Sequence, residues 1–60
     1  MNVTLSQHAK QRLAERFNIT TTQDSIKIPN LEPLHGDKYL FQDNILVIRN
    51  NVLITIYPRY

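Results

Sequence analysis

Sixty residues with a formal charge of +2 and no cysteine allow one small domain, and exclude a disulfide framework and a thiolate metal site. No apolar run approaches the roughly 18 residues that a membrane-spanning helix needs. Met1-Asn2-Val3-Thr4 also lacks the basic-then-apolar form of a signal peptide, so the expectation is a cytoplasmic protein, of the producing or infected cell, with no membrane partner.

The first periodic segment runs from Leu5 to Phe17. Leu5, Ala9, Leu13 and Phe17 recur at i, i+4, i+8 and i+12 and form one apolar stripe of a helix. Thr4 with Gln7 three residues later fits a capping box, which sets the start. Asn18 and the β-branched Ile19-Thr20-Thr21-Thr22 set the end. The expected amphipathic helix therefore spans about 5–17.

Residues 18–37 read as a connecting loop. Within it, Ser25 to Ile28 fits either a helical turn or a short edge strand, and Pro29 tilts the choice to the strand. Pro29 and Pro33 argue against any longer element, and Gly36-Asp37 reads as a turn.

From Lys38 the pattern becomes β. Three runs rich in aliphatic and aromatic residues, about 38–42, 45–49 and 52–58, are separated by Asp43-Asn44 and Asn50-Asn51, residues suited to two-residue hairpin turns. The fold class expected is α+β: one N-terminal helix packed on a three-stranded antiparallel meander, or a four-stranded one if Ser25 to Ile28 pairs with it. Regular two-residue turns would put Leu40, Ile45, Val47, Val52, Ile54 and Ile56 on one face, ready to receive the helix stripe. Tyr39, Phe41, Leu46, Ile48, Leu53, Thr55 and Tyr57 would form the other. That second face is too apolar for water. Either residues 19–35 wrap over it, or a second copy or a partner covers it, and a homodimer or partner-bound state is favoured because so short a chain has a marginal core.

The charge is unevenly spread. Residues 1–17 carry net +2, residues 18–37 carry −2 and residues 38–60 carry +2, and all four Arg lie in the basic parts. His8, Arg12 and Arg16, at i, i+4 and i+8, form a polar ridge beside the apolar stripe. An imidazole can move a proton near neutral pH, and guanidinium forks can bind a phosphate and offset charge on its oxygens. The same residues also fit a solvated helix flank, with Glu15 placed to pair with Gln11 or Arg12. Tyr57 and Tyr39 could donate a proton or stack a base, or simply pack in the sheet. Lys10, Arg49 and Arg59 are candidate phosphate contacts, and Tyr60 a further one. His35 reads as a surface residue. Two His are too few for a protein-only zinc site, and nothing in the sequence implies a cofactor.

Ser6-Gln7-His8-Ala9-Lys10-Gln11-Arg12-Leu13-Ala14-Glu15-Arg16, followed near the end by Leu53-Ile54-Thr55-Ile56-Tyr57, resembles small bacterial and phage domains related to the RelE-like ribonuclease toxins of the barnase–EndoU–colicin-like fold. The likeness covers about 5–17 and 45–57. It implies a metal-independent endoribonuclease, or a degenerate relative that binds RNA, with His8, Arg12, Arg16 and Tyr57 at the matching positions. The alternative expectation is a non-enzymatic phage- or plasmid-encoded inhibitor that binds a host protein through an apolar sheet face or a strand edge.

Overall fold

The computed structural model describes residues 1–59. It is α+β, with one helix and a six-stranded mixed sheet. The strands are β1 (Asn2–Leu5), β2 (Ser25–Lys27), β3 (Glu32–Pro33), β4 (Lys38–Phe41), β5 (Asn44–Arg49) and β6 (Val52–Pro58), and the helix is α1 (Gln7–Phe17). Their order across the sheet is β2-β1-β6-β5-β4-β3.

The meander β4-β5-β6 forms as the sequence predicts, but it is the middle of a larger sheet. β1 adds to β6 in parallel, pairing Thr4 with Val52 and Leu5 with Leu53. β2 pairs antiparallel with β1 rather than with the meander. The polar–apolar alternation of Asn2-Val3-Thr4-Leu5 is a strand period, and Val3 and Leu5 are its buried members.

The helix consequently starts later than the capping-box reading puts it. Ser6 is the N-cap, its Oγ accepting the Ala9 N–H at 3.0 Å. Leu5 leaves the helix stripe and joins β1, while Ala9, Leu13 and the half-buried Phe17 remain on it. Asn18 closes the helix in the left-handed region at φ 57°, as an Asn can.

Both hairpins turn through two residues with positive φ. The second turn is Asn50-Asn51, as expected. The first is Gln42-Asp43, one residue earlier than the sequence suggests, so Phe41 faces Asn44. Moving a turn by one residue moves every cross-strand partner by two, which leaves the side-chain faces of β4 and β5 unchanged.

The faces of β6 do change. β5 and β6 pair Ile48 with Leu53 but Val47 with Thr55, so Ile54 is an extra residue, a β-bulge. Beyond it the alternation reverses. Leu46, Ile48, Leu53 and Ile56 then point to the helix side, where they form the core with Val3, Leu5, Ala9, Leu13 and Ile28. Tyr39 and Phe41 pack against this core, and Phe17 meets Phe41 edge to face at 5.8 Å. The helix thus lies on the face that the sequence reading leaves to water or a partner, and Ile54, assigned there to the core face, is exposed.

Residues 19–35 do reach the second face, as one expectation had it: Ile26, Ile28 and Leu31 pack into the same core beside the helix. Part of 29–37 is ordered as strand, because Glu32–Pro33 pairs with β4. Pro33 is tolerated there because β3 is an edge strand with no further neighbour to serve. The face away from the helix carries Leu40, Ile45, Val47, Val52 and Tyr57, with no helix upon it. No helix of the described residues is long and apolar enough to cross a membrane.

Candidate functional site

β1 ends at Leu5 and its pairing to β6 ends at Leu53, so the remainder of β6 has its outer edge free of a strand. The first turn of α1 sits there. Ser6 Oγ donates to the Leu53 carbonyl at 2.9 Å, with the Ile54 carbonyl at 3.3 Å, and this anchors the helix start beside the bulge.

His8, in the first turn of the helix, reaches Thr55. Its Nε2 lies 3.0 Å from Thr55 Oγ1. The Arg12 Nε–H donates to the same nitrogen at 3.3 Å. Arg12 Nη1 donates to Glu15 Oε1 at 2.7 Å, and Gln11 Nε2 reaches Glu15 Oε2 at 3.4 Å. Two of the three predicted ridge residues are therefore in contact, and Glu15 takes both of its predicted partners.

The hydrogen bonds define two states of the imidazole. A donor from Arg12 requires a lone pair on Nε2, which is the form that can accept a proton. In the Nε2–H tautomer the ring instead donates to Thr55 Oγ1, and the Arg12 contact must open. The tautomer of His8 and the position of the Arg12 guanidinium are thus linked by one atom.

Arg16 continues the ridge one turn further. It is exposed and makes no ion pair among the described residues. Its place in the last turn suits the negative end of the helix dipole. An open groove runs along the outer side of the helix, between Gln7, His8, Lys10 and Gln11 and the loop residues Thr20 and Thr21. Its walls offer an imidazole, an ammonium, two amides and two hydroxyls, and no carboxylate lines it. Lys10 pairs at 3.1 Å with Asp24, whose side chain is almost fully exposed.

The other predicted residues fall elsewhere. Tyr57 is exposed and pairs with Ile45 on the face away from the helix, and it makes no hydrogen bond to His8, Arg12 or Arg16. It shares that face with Thr55, the two flanking the buried Ile56. Tyr39 packs against the core on the helix side, so the two Tyr assigned to one face lie on opposite ones. Arg49 pairs with Asp37 at 3.0 Å and Arg59 with Asp43 at 3.8 Å. These pairs sit at opposite ends of the β5–β6 hairpin, a separation of roughly 17 Å over β5. His35 is exposed in its turn, as expected. Tyr60 lies outside the described residues.

Sequence reading misses Thr55, Thr20 and Thr21 as neighbours of His8. Only the bulge and the parallel β1–β6 pairing bring Thr55 to the helix start, and neither has a local signature. No group of three or more His, Asp or Glu among the described residues is placed to hold a metal ion.

Comparison with protein-family models, with curated proteins and with solved structures finds no match.

Proposed function

We propose that this chain is a small RNA-binding domain whose contact surface is the His8–Arg12–Arg16 edge of the helix, with His8 able to serve as the base in metal-independent cleavage. The observation that carries the reading is the 3.3 Å contact from Arg12 to His8 Nε2 on the helix edge, with His8 also lining an open groove that no carboxylate lines. An Nε2 lone pair that accepts from Arg12 is the one a general base uses, and it sits beside a cation suited to a phosphodiester.

In the cleavage step, His8 Nε2 takes the proton of an RNA 2′-hydroxyl. That oxygen attacks the adjacent phosphorus, and the 5′-oxygen leaves and takes a proton from water, giving a 2′,3′-cyclic phosphate. Arg12, opened from His8 as the imidazole becomes protonated, turns to the phosphate oxygens. Tyr57 makes no hydrogen bond to His8, Arg12 or Arg16 and is assigned no role in this step. The likeness of two sequence blocks to RelE-like toxins is consistent with the reading but adds no geometry to it.

Incubation of a short single-stranded RNA with the wild type, His8→Ala and Arg12→Ala tests both parts. Cleavage by the wild type that His8→Ala abolishes supports catalysis. Binding without cleavage, weakened by Arg12→Ala, supports an RNA-binding domain alone. RNA left unbound and intact by all three proteins removes the proposal.

One observation favours a second reading. Leu40 and Tyr57 flank the buried Ile45 in a row across three strands on a face that no helix covers, which suits a protein that blocks a host partner. A partner captured from lysate after nuclease treatment, and no longer captured by Leu40→Lys, distinguishes this reading from the RNA one.

A further inference from the structure

A second cavity lies on the core side of the molecule, away from His8. Its volume is about 150 Å³. Its walls are Leu13 and Phe17 of α1, Ile26 and Ile28 at β2, and Phe41 and Leu46 of the sheet. Ile19 and Pro29, both exposed, mark its opening, and Lys27 contributes the one charge around it. Ile19 is 43% exposed, so an apolar surface leads from solvent into the interior.

The chemistry of the lining selects the ligand. Apart from Lys27 at the margin, no wall residue offers a side-chain hydrogen-bond partner, so water or a polar molecule inside would forgo its own bonds. Enclosed cavities of about this size lined by Leu, Ile and Phe accept one benzene-sized ring, and this one differs in opening to solvent past Ile19. The walls are also aromatic in the right sense. Phe17 and Phe41 stand edge to face at 5.8 Å and 66°, and a third ring can extend that arrangement. The core is otherwise closed, with Leu13 and Leu46 at most 2% exposed, so the opening between Ile19 and Pro29 leads to a defined cavity floor.

We propose that this cavity is a binding site for a single uncharged aromatic ring. It is independent of the RNA-binding edge, and neither needs the other.

Toluene is the probe, with phenol as the isosteric polar control. Amide chemical shifts of the labelled protein are followed as each is added. Toluene is expected to give saturable shifts concentrated at Leu13, Phe17, Ile28 and Leu46. Phenol is expected to bind about tenfold more weakly, because its hydroxyl loses water and gains no partner. Ile26→Phe fills the cavity from its own wall and should weaken toluene by about tenfold or more. Should that variant fail to fold, Ile19→Ala decides the matter: Ile19 is exposed, the fold tolerates its removal, and toluene should bind a few-fold more weakly. Shifts that never saturate or are scattered over the surface overturn the proposal. So does equal affinity for phenol, or toluene binding unaffected by the variants.

Discussion

Ser6 and Leu53 are joined by a 2.9 Å hydrogen bond from the serine hydroxyl to the leucine carbonyl, across 47 residues of sequence. The same oxygen caps the helix by accepting the Ala9 N–H. One side chain therefore both starts α1 and fixes it to the end of the parallel β1–β6 pairing. Ser6→Ala removes both bonds, and the expected cost is about 1–2 kcal/mol of stability. Thr4, the residue that the Thr4–Gln7 spacing nominates as the cap, is exposed in β1. Thr4→Val keeps the β-branched shape and should stay within about 0.5 kcal/mol of the wild type. Urea unfolding of the two variants separates the capping assignments.

The bulge makes neighbouring isoleucines unequal. Regular alternation puts Ile54 and Ile56 on one face with one fate. In the structure Ile54 is 41% exposed and Ile56 is 1% exposed. Ile56→Ala leaves a hole between strands and helix and should cost about 2–5 kcal/mol. Ile54→Ala should cost no more than about 1 kcal/mol, mostly through weaker strand preference. Thermal unfolding of the pair checks this directly. Equal destabilisation would mean that β5 and β6 pair without the extra residue.

This pair also marks the limit of what is legible in the sequence. The first turn, Gln42-Asp43, falls one residue before the Asp43-Asn44 pair that marks it in the sequence, but the helix, the three meander strands and the second turn are local features. They follow from the Ala9–Leu13–Phe17 spacing, from β-branched runs, and from Asn and Asp at turns. β1 is equally local, since Asn2 to Leu5 alternates cleanly, but the capping signal at Thr4 competes for the same residues. What fails is whatever depends on distant pairing. Regular turns and unbroken alternation put Leu53 and Ile56 on opposite faces, and one inserted residue brings them to the same one. At the site, His8 and Arg12 meet because helix geometry puts i and i+4 together. Thr55 joins them through a crossover that no short window of sequence encodes, and the bulge carries Thr55 and Tyr57 together to the far face, where Thr55 meets His8.

Gln42 carries a local strain that can be relieved. It adopts φ 48° in the first hairpin turn, where the other three positions of the two turns are Asp or Asn. Left-handed backbone costs a residue such as Gln roughly 1–2 kcal/mol, and Asn less. Gln42→Asn should therefore raise stability by about 0.5–1 kcal/mol, a rise of a few degrees in melting temperature for a domain of this size. The Asn44 side chain bonds to the backbone carbonyl of residue 42 at 2.9 Å, which the substitution leaves intact. A melting temperature unchanged or lowered would show that the turn gains nothing from the substitution.

The cations differ in what they can offer RNA, and the difference is measurable through salt. Arg49 and Arg59 are held by Asp37 and Asp43 at opposite ends of one hairpin, whereas Arg12 and Arg16 lie one turn apart on the helix edge. Exposed ion pairs contribute at most about 1 kcal/mol, so Arg12 can leave Glu15 for a phosphate at little cost. If the helix edge is the contact surface, Arg12→Ala and Arg16→Ala should each weaken binding of single-stranded RNA and flatten its salt dependence. The slope of log affinity against log salt should fall by about 0.7 for each phosphate that the variant no longer neutralises. Arg49→Ala and Arg59→Ala should leave that slope unchanged. Affinity measured by fluorescence anisotropy at several salt concentrations reads both numbers. A slope lowered equally by all four substitutions would spread the RNA contact over the whole surface and remove the helix edge from its special place.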